Sequence, residues 1–223
     1  MKYIVANWKA NKTLPEALNW IKDFNNLIEN NSRVKEALSI DKLSVIIAPA
    51  HPFIYLLKDL ITTKNVCFGT QDISSFEEGS YTGEVTAKMI TLAAKFTLVG
   101  HSERRQNFHE NEENIGRKIE QAQNYGIEPI LCVRNTSDKI YDNVNFVAYE
   151  PVEAIGTGKN QDLKEITAIK KQFAFKTPVK FIYGGSVNEI NSKGYLHDQE
   201  IDGLLIGTAS LYPHSFVQIL DQV

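Results

Sequence analysis

The sequence predicts an α/β protein in which eight parallel strands close into a (β/α)₈ barrel. Short apolar runs rich in β-branched residues alternate with longer segments that have helical spacing, and about eight such units follow one another. Most runs are continuously apolar, which is typical of strands covered on both faces in a parallel sheet. The predicted strands are residues 3–8, 43–48, 66–69, 96–99, 127–133, 145–149, 179–183 and 202–206.

Three intervening segments have the clearest helical spacing. Residues 15–28 follow Thr13, a possible cap, and carry apolar side chains such as Leu18, Ile21 and Phe24 at helical intervals of three. Residues 112–125 and 161–173 repeat the pattern. Strand–helix–strand units of this kind imply right-handed crossovers between parallel strands.

The fifth unit is predicted to be short. Only a polar stretch, residues 134–143, separates Cys132 from Phe146. A parallel crossover normally needs about a dozen residues, so this one has room for a turn or two of helix. We expect the weakest packing of the fold on this side.

The alternative architecture is an open doubly wound sheet. The chain has no Gly-x-Gly-x-x-Gly following a strand to support it. No linker rich in Pro, Gly or Ser divides the sequence, so residues 1–223 are predicted to form a single domain.

Composition excludes several classes of partner. The 223 residues carry a formal charge of -3, so the basic excess expected of a nucleic-acid-binding domain is absent. No apolar stretch approaches a membrane span, and the apolar run at the N-terminus is too short for a signal peptide. We therefore expect no membrane partner and a cytoplasmic location, with a leaderless export route as the alternative. Cys67 and Cys132 both lie in apolar runs and favour buried, reduced thiols.

Polar residues follow three of the predicted strands, where barrel enzymes carry their active residues. Asn7 lies at the end of the first strand and Lys9 follows it, while His101 follows the fourth strand and Glu150 the sixth. A helix N-terminus disfavours an imidazolium, so His101 is predicted to be neutral. Partial burial is expected to raise the pKa of Glu150 towards that of a general base. The structural alternatives are a surface Lys9, a capping His101 and a solvent-facing Glu150.

Two glycine-rich turns predict an anion site. They follow the seventh and eighth strands, at residues 183–187 and 207–211. Such turns expose backbone N–H groups, and in this barrel class these two loops often hold a phosphate. Residues 151–159 contain two glycines around a small apolar segment, which suggests a lid.

These segments occur together, and in order, in one enzyme family. The chain resembles the triosephosphate isomerases from residue 3 to about residue 212. The motifs that carry the resemblance are NWK at 7–9, GHSERR at 100–105, AYEPV at 148–152, AIGTGK at 154–159, YGGSV at 183–187 and GTASL at 207–211. The segments GTQD at 69–72 and GSYTGE at 79–84 belong to the same pattern.

The resemblance implies a TIM barrel that interconverts dihydroxyacetone phosphate and D-glyceraldehyde 3-phosphate through an enediolate. This reaction belongs to glycolysis and gluconeogenesis and uses neither cofactor nor metal. By resemblance, Glu150 moves the proton between the two carbons and a neutral His101 polarises the carbonyl. Lys9 offsets the charge of the phosphate and the enediolate. Asn7 orients the substrate and Lys9, and Glu103 supports His101.

The resemblance also implies a phosphate site and a homodimer. Gly156, Ser186, Gly207 and Thr208 are expected to contact the phosphate, chiefly through backbone N–H groups. Closure of residues 151–159 would protect the enediolate from losing its phosphate. The loop that runs from Gln71 to Gly83 is expected to form the dimer, with Thr82 approaching Asn7 and Glu103 of the other chain.

Three positions depart from the family pattern. Glu153 stands where a lid tryptophan is usual, and we expect altered lid kinetics with the chemistry intact. Thr208 stands where a second glycine is usual, so its side chain must point away from the phosphate or the backbone contact is altered. Residues 133–135 replace an apolar residue, Gly and Glu. Two alternative functions are a phosphate-binding barrel enzyme with other chemistry and an inactive dimeric scaffold.

Overall fold

Eight parallel strands form a closed barrel, as the sequence predicts. A computed structural model describes residues 1–151 and 161–223. Within these residues each strand is hydrogen-bonded to the next, and the eighth pairs with the first. The strands are β1 (Lys2–Asn7), β2 (Leu43–Ala48), β3 (Val66–Thr70), β4 (Phe96–Val99), β5 (Glu128–Val133), β6 (Phe146–Tyr149), β7 (Lys180–Tyr183) and β8 (Gly203–Ile206).

The register of the strands brings their C-terminal ends to one rim. Val133 pairs with Tyr149, which pairs with Tyr183. On the other side of the barrel, Asn7 is in register with Ala48. Residues that directly follow these strands therefore face one another across the mouth of the barrel.

Helices surround the barrel on its outer face. Over the described residues they are α1 (Leu14–Glu29), α2 (Ser32–Ser39), α3 (His51–Leu57), α4 (Ala87–Ile90), α5 (Ser102–Asn107), α6 (Glu112–Asn124), α7 (Leu163–Lys170), α8 (Ser192–His197) and α9 (Pro213–Leu220), with a 3₁₀ helix at Thr208–Leu211. The three helices predicted from spacing are α1, α6 and a shorter α7.

Helix α1 shows how the outer layer is held. The Glu16 carboxylate accepts hydrogen bonds from the backbone N–H of Thr13 at 2.6 Å and from its hydroxyl at 2.8 Å, which stabilises the first turn. Trp20 stacks on Phe24 with ring centroids 5.0 Å apart. The indole N–H of Trp20 donates to the carbonyl of Ser210 at 3.0 Å, so α1 also supports the turn after β8.

The fifth βα unit is short, as predicted. Residues 134–145, all of which the structure describes, form turns and coil rather than a helix. Val144 is buried and Ile140 and Tyr141 pack against the core. The Tyr141 hydroxyl donates to the backbone carbonyl of Glu112 at 2.5 Å. These side chains cover the barrel wall, although a cavity of about 650 Å³ remains between the coil and residues 172–176.

The cysteines match their prediction in part. Both are free thiols, and Cys132 is buried, but Cys67 is only half-buried. Cys67 lies on β3 and packs at the edge of the apolar cluster inside the barrel. Over the described part of the chain, no helix has the length and apolar character needed to cross a membrane.

Candidate active site

The rim of the barrel surrounds a cavity of about 480 Å³. Among the described residues, its walls come from the ends of five strands and from the start of α9. The lining includes most of the residues that the sequence singled out, namely Asn7, Lys9, His101, Glu150, Ser186, Gly207 and Thr208.

Lys9 is held in a strained turn after β1. Its φ is 52°, in the left-handed region that a lysine rarely adopts. The backbone N–H of Lys9 donates to Asn7 Oδ1 at 3.0 Å, and Gln71 Nε2 donates to the Lys9 carbonyl at 2.9 Å. The ammonium then lies 2.5 Å from Glu103 Oε1. Neighbouring side chains thus hold the turn and direct the charge at the cavity.

His101 caps helix α5 and joins two carboxylates. Its Nδ1 accepts a hydrogen bond from the backbone N–H of Glu103 at 3.2 Å, and its Nε2 lies 2.9 Å from Glu150 Oε1. Glu103 Oε2 lies 3.8 Å from Nδ1. A ring whose Nδ1 accepts must carry its proton on Nε2, so the geometry directs an Nε2–H group into the cavity.

Glu150 is buried against two donors. Its backbone N–H donates to the carbonyl of Val133 at 2.8 Å, which continues the ladder between β5 and β6. Its Oε2 accepts from the backbone N–H of Ser102 at 3.3 Å. The side chain is 3 % exposed. Gly184 leaves room for it, because a Cβ at Gly184 would lie 2.8 Å from Glu150 Cγ.

The pKa expectation for Glu150 is wrong for this arrangement, and the pKa of His101 shifts upwards, against the influence expected of a helix N-terminus. Burial acts to raise the pKa of Glu150, but the charge of His101 and the hydrogen bonds from His101 and Ser102 outweigh burial and lower it. Burial acts to lower the pKa of His101, but the charge of Glu150 and the hydrogen bond to it raise it. Each group therefore favours the charged form of the other while they remain in contact.

The glycine turn after β8 lies beside Lys9. A Cβ placed on Gly207 would lie 3.6 Å from Lys9 Cε and 4.0 Å from Lys9 Nζ, so the ammonium passes close to the turn after β8. Thr208 is exposed and Ser186 is half-buried on the same cavity wall.

Gly185 lies against the ring of Tyr183. A Cβ on Gly185 would lie 2.1 Å from the Tyr183 hydroxyl, which itself accepts a hydrogen bond from the backbone N–H of Gln161 at 3.1 Å. All of the predicted lid at 151–159 except its first residue, and so both Glu153 and Gly156, lies outside the described residues.

Several residues of the site were not singled out from the sequence. Gln71 and Gly184 lie within the quoted motifs, so their positions after β3 and β7 were a signal that could have found them. Leu205 lines the cavity from β8, and Tyr212 and Ser215 line it from the start of α9. No sequence signal marked these three. Within the described ranges, no group of three or more His, Cys, Asp or Glu side chains has the arrangement of a metal site.

Comparison with known proteins agrees with this geometry. A family model described as triosephosphate isomerase matches residues 2–223. The triosephosphate isomerase of Mesomycoplasma hyopneumoniae (strain 232) is 36% identical over 245 aligned positions, covering 98% of each chain. That of Dictyoglomus thermophilum is 33% identical, also over 98% of each chain. That of Chlamydia muridarum is 33% identical over 99% of this chain and 91% of its own. The chain therefore belongs to the triosephosphate isomerase family.

Proposed function

We propose that this protein interconverts dihydroxyacetone phosphate and D-glyceraldehyde 3-phosphate by proton transfer through an enediolate. Membership of the family supports the reaction class. The observation that carries the proposal is the meeting of Glu150, His101 and Lys9 at one cavity, from three separate strand ends. A buried carboxylate, an imidazole N–H and an ammonium are the groups that an enolisation requires.

Glu150 is the base. In the structure its carboxylate accepts hydrogen bonds from His101 Nε2 and from the backbone N–H of Ser102. A substrate carbonyl needs that same Nε2 donor, so Glu150 must leave it before reaction. On leaving, the carboxylate loses the hydrogen bonds that lower its pKa, while burial continues to raise it. The move therefore makes Glu150 more basic as it approaches the substrate carbon.

His101 is the electrophile and Lys9 the cation of the site. Once Glu150 has moved away, the largest of the influences that raise the pKa of His101 are removed, which favours the neutral Nε2–H form that polarises a carbonyl. Lys9 stabilises the charge of the phosphate and of the enediolate oxygen. Asn7 and Glu103 hold Lys9 in position through the contacts at 3.0 and 2.5 Å.

The phosphate binds at the turns after β7 and β8. Ser186, Gly207 and Thr208 line this part of the cavity, and the Lys9 ammonium lies beside Gly207. Gly156 is proposed as a fourth contact from the segment outside the described residues. Backbone N–H groups supply the contacts, so the exposed Thr208 side chain is compatible with them.

A coupled assay with purified protein and D-glyceraldehyde 3-phosphate tests the proposal. The parent is expected to turn over rapidly, and Glu150→Gln is expected to lower kcat by several powers of ten. Glu189→Gln is the matched control, because it removes a carboxylate from another part of the same cavity wall, and its kcat is expected to stay within about threefold of the parent. An inactive but folded parent, or an active Glu150→Gln enzyme, would refute the proposal.

We further propose a homodimer formed through the loop from Gln71 to Gly83. Residues 77–84 are exposed, and Phe76 stacks on Tyr81 with ring centroids 4.2 Å apart, which gives the protruding loop a rigid aromatic base. Thr82 at its tip would reach Asn7 and Glu103 of the second copy. Specific activity is expected to fall when the protein is diluted below the dissociation constant of the dimer, which sedimentation measures. A fully active monomer would contradict this.

The remaining proposals concern the chain as a whole. Residues 1–223 form one domain, and the protein acts in the cytoplasm without nucleic-acid or membrane partners. A single cooperative unfolding transition, seen at the same denaturant concentration by fluorescence and circular dichroism, is the result expected for one domain.

A further inference from the structure

Arg105 has a buried guanidinium that contacts the backbone on both sides of the His101 strand end. Its side chain is 4 % exposed. Its Nε donates to the carbonyl of Gly100 at 2.8 Å, and its Nη2 donates to the carbonyl of Cys132 at 3.3 Å. Its own backbone N–H donates to the carbonyl of His101 at 3.1 Å. Arg105 thus contacts three backbone carbonyls, those of Gly100, His101 and Cys132, and these contacts form a ring beside His101.

The Gly100 end of this ring is tightly constrained. Gly100 has φ of +72°, and a Cβ there would lie 3.0 Å from Arg105 Nη2 and 3.0 Å from Ile115 Cδ1. The carbonyl that accepts from Arg105 belongs to the peptide group that joins Gly100 to His101. Because a peptide group is planar, fixing its oxygen also fixes the direction in which His101 leaves the strand.

The Cys132 end connects the ring to the proposed base. Cys132 is the penultimate residue of β5 and pairs with Ala148 of β6. The next carbonyl along β5, that of Val133, accepts the backbone N–H of Glu150 at 2.8 Å. The guanidinium therefore ties together the strand ends that carry His101 and Glu150.

A buried guanidinium needs compensating negative charge. Glu112 Oε1 lies 2.5 Å from Arg105 Nη1, but the Glu112 side chain is 41 % exposed. The second carboxylate is Asp138 Oδ1, 3.9 Å from the same nitrogen and only 4 % exposed. Asp138 comes from the coil between β5 and β6 and is the more buried of the two carboxylates, whereas Glu112 of α6 makes the closer contact.

The coil is built around Asp138. Arg134 donates to it through its backbone N–H at 2.7 Å, its Nε at 3.0 Å and its Nη2 at 2.7 Å. Burial acts to raise the pKa of Asp138, but the hydrogen bonds from Arg134 and the charge of Arg105 lower it below its ordinary value. Asp138 therefore remains ionised beside the Arg105 guanidinium.

We infer that Arg105 and Asp138 are a pair of positioning residues, in which the coil that stands in place of a fifth helix supplies a buried carboxylate. Together with the hydrogen bond from Glu112, this charge stabilises the Arg105 guanidinium on the carbonyls of Gly100 and Cys132. Through those carbonyls the pair sets the position of His101 relative to Glu150. The inference rests on the proposed isomerase function, but its effect on the His101–Glu150 contact can be measured without it.

The kinetic test compares Arg105→Lys, Asp138→Asn and the control Arg117→Lys. A lysine keeps the charge but cannot bond two carbonyls in one plane. Arg117 pairs with Glu113 on the exposed face of α6, so its substitution removes a guanidinium outside the site. Arg105→Lys is expected to lower kcat by about 10- to 100-fold, the scale of a misplacement near 1 Å, with KM within about threefold. Asp138→Asn is expected to lower kcat in the same direction by a smaller factor, and Arg117→Lys to leave it unchanged.

The second readout is independent of turnover. Imidazole NMR of His101, assigned with His101→Gln, gives its titration midpoint in the unliganded protein. Because Glu150 raises the pKa of His101 through their contact, a shifted strand end is expected to move the midpoint by about half a pH unit or more. If Arg105→Lys does not fold, the inference is tested by the kcat and the His101 titration midpoint of Asp138→Asn.

The outcomes separate the inference from the proposed function. An inactive parent with a midpoint that moves in Arg105→Lys or Asp138→Asn refutes the isomerase and supports the pair. An active parent with kcat within twofold in both variants, or with a His101 midpoint that does not move, overturns the pair. The inference is also overturned if the fraction of unfolded protein, measured by circular dichroism, accounts for the whole loss of activity in the variants.

Discussion

Gly184→Ala should displace the proposed base without removing any functional group. A Cβ at this position would lie 2.8 Å from Glu150 Cγ, where ordinary contacts begin at 3.4 Å. It would also lie 3.4 Å from the Tyr149 carbonyl oxygen and 3.5 Å from Leu205 Cβ, so two further sides are already at contact distance. The φ of Gly184 lies outside the left-handed region, so alanine adds steric overlap rather than backbone strain. Glu150 must therefore move by about 0.6 Å or more.

The size of the effect follows from that displacement. A misplacement approaching 1 Å costs about 100-fold in rate, or about 2.7 kcal/mol in activation free energy. The coupled assay should show this loss mainly in kcat, because the phosphate turns at Ser186 and Gly207 keep their backbone. The matched control is Gly194→Ala in α8, where a Cβ would lie 4.0 Å from Leu163 Cδ1. The control is expected to keep full activity and to gain up to about 1 kcal/mol of stability, since alanine favours the helix.

Two results would refute this reasoning. One is a kcat for Gly184→Ala within twofold of the parent, which would mean that Glu150 can shift without loss. The other is an equal loss in Gly194→Ala, which would attribute the effect to glycine replacement in general.

Three further predictions concern other parts of the molecule. Tyr141→Phe removes the hydroxyl bond to Glu112 and should lower the free energy of unfolding by about 1 kcal/mol in urea denaturation; an unchanged value would mean that the coil is held by packing alone. The contact of His101 with Glu150 raises the pKa of His101 above its ordinary value of 6.5 and lowers that of Glu150 below its ordinary value of 4.5. The contact therefore stabilises the folded protein fully between pH 4.5 and pH 6.5. This stabilisation is lost as the pH rises through the raised pKa of His101 or falls through the lowered pKa of Glu150. His101→Gln should therefore cost more unfolding free energy at about pH 5.5 than at about pH 9, and an equal cost at both would count against the pairing. Thr208→Gly should leave KM within about twofold, because the side chain is exposed and backbone groups bind the phosphate; a clear fall in KM would show that the threonine obstructs the site.

The positions of the strands were almost entirely predictable from the sequence. The predicted strands at 43–48 and 96–99 have the bounds found in the structure, and the others differ by one residue at one or both ends. The reason is that barrel strands are covered on both faces, so each appears as an uninterrupted apolar run. Helical spacing was less informative: Leu18 fits the spacing of α1 but is 39 % exposed, whereas Trp20 is buried. Short helices such as α4 and α5 have too few turns to show a period.

The sequence by itself determined the family, the barrel and the residues that gather at its rim, because motifs and apolar runs are properties of the chain order. Only the tertiary structure decided how those residues act on one another. The pKa of Glu150 depends on a contact of 2.9 Å with His101, which lies 49 positions earlier in the chain. The roles assigned to Gly184 and Asp138 depend in the same way on atoms that no motif places beside them. Steric overlap and hydrogen bonding act only at contact distances, and the interaction of charges weakens with their separation. The net effects therefore follow from distances that the order of residues does not contain.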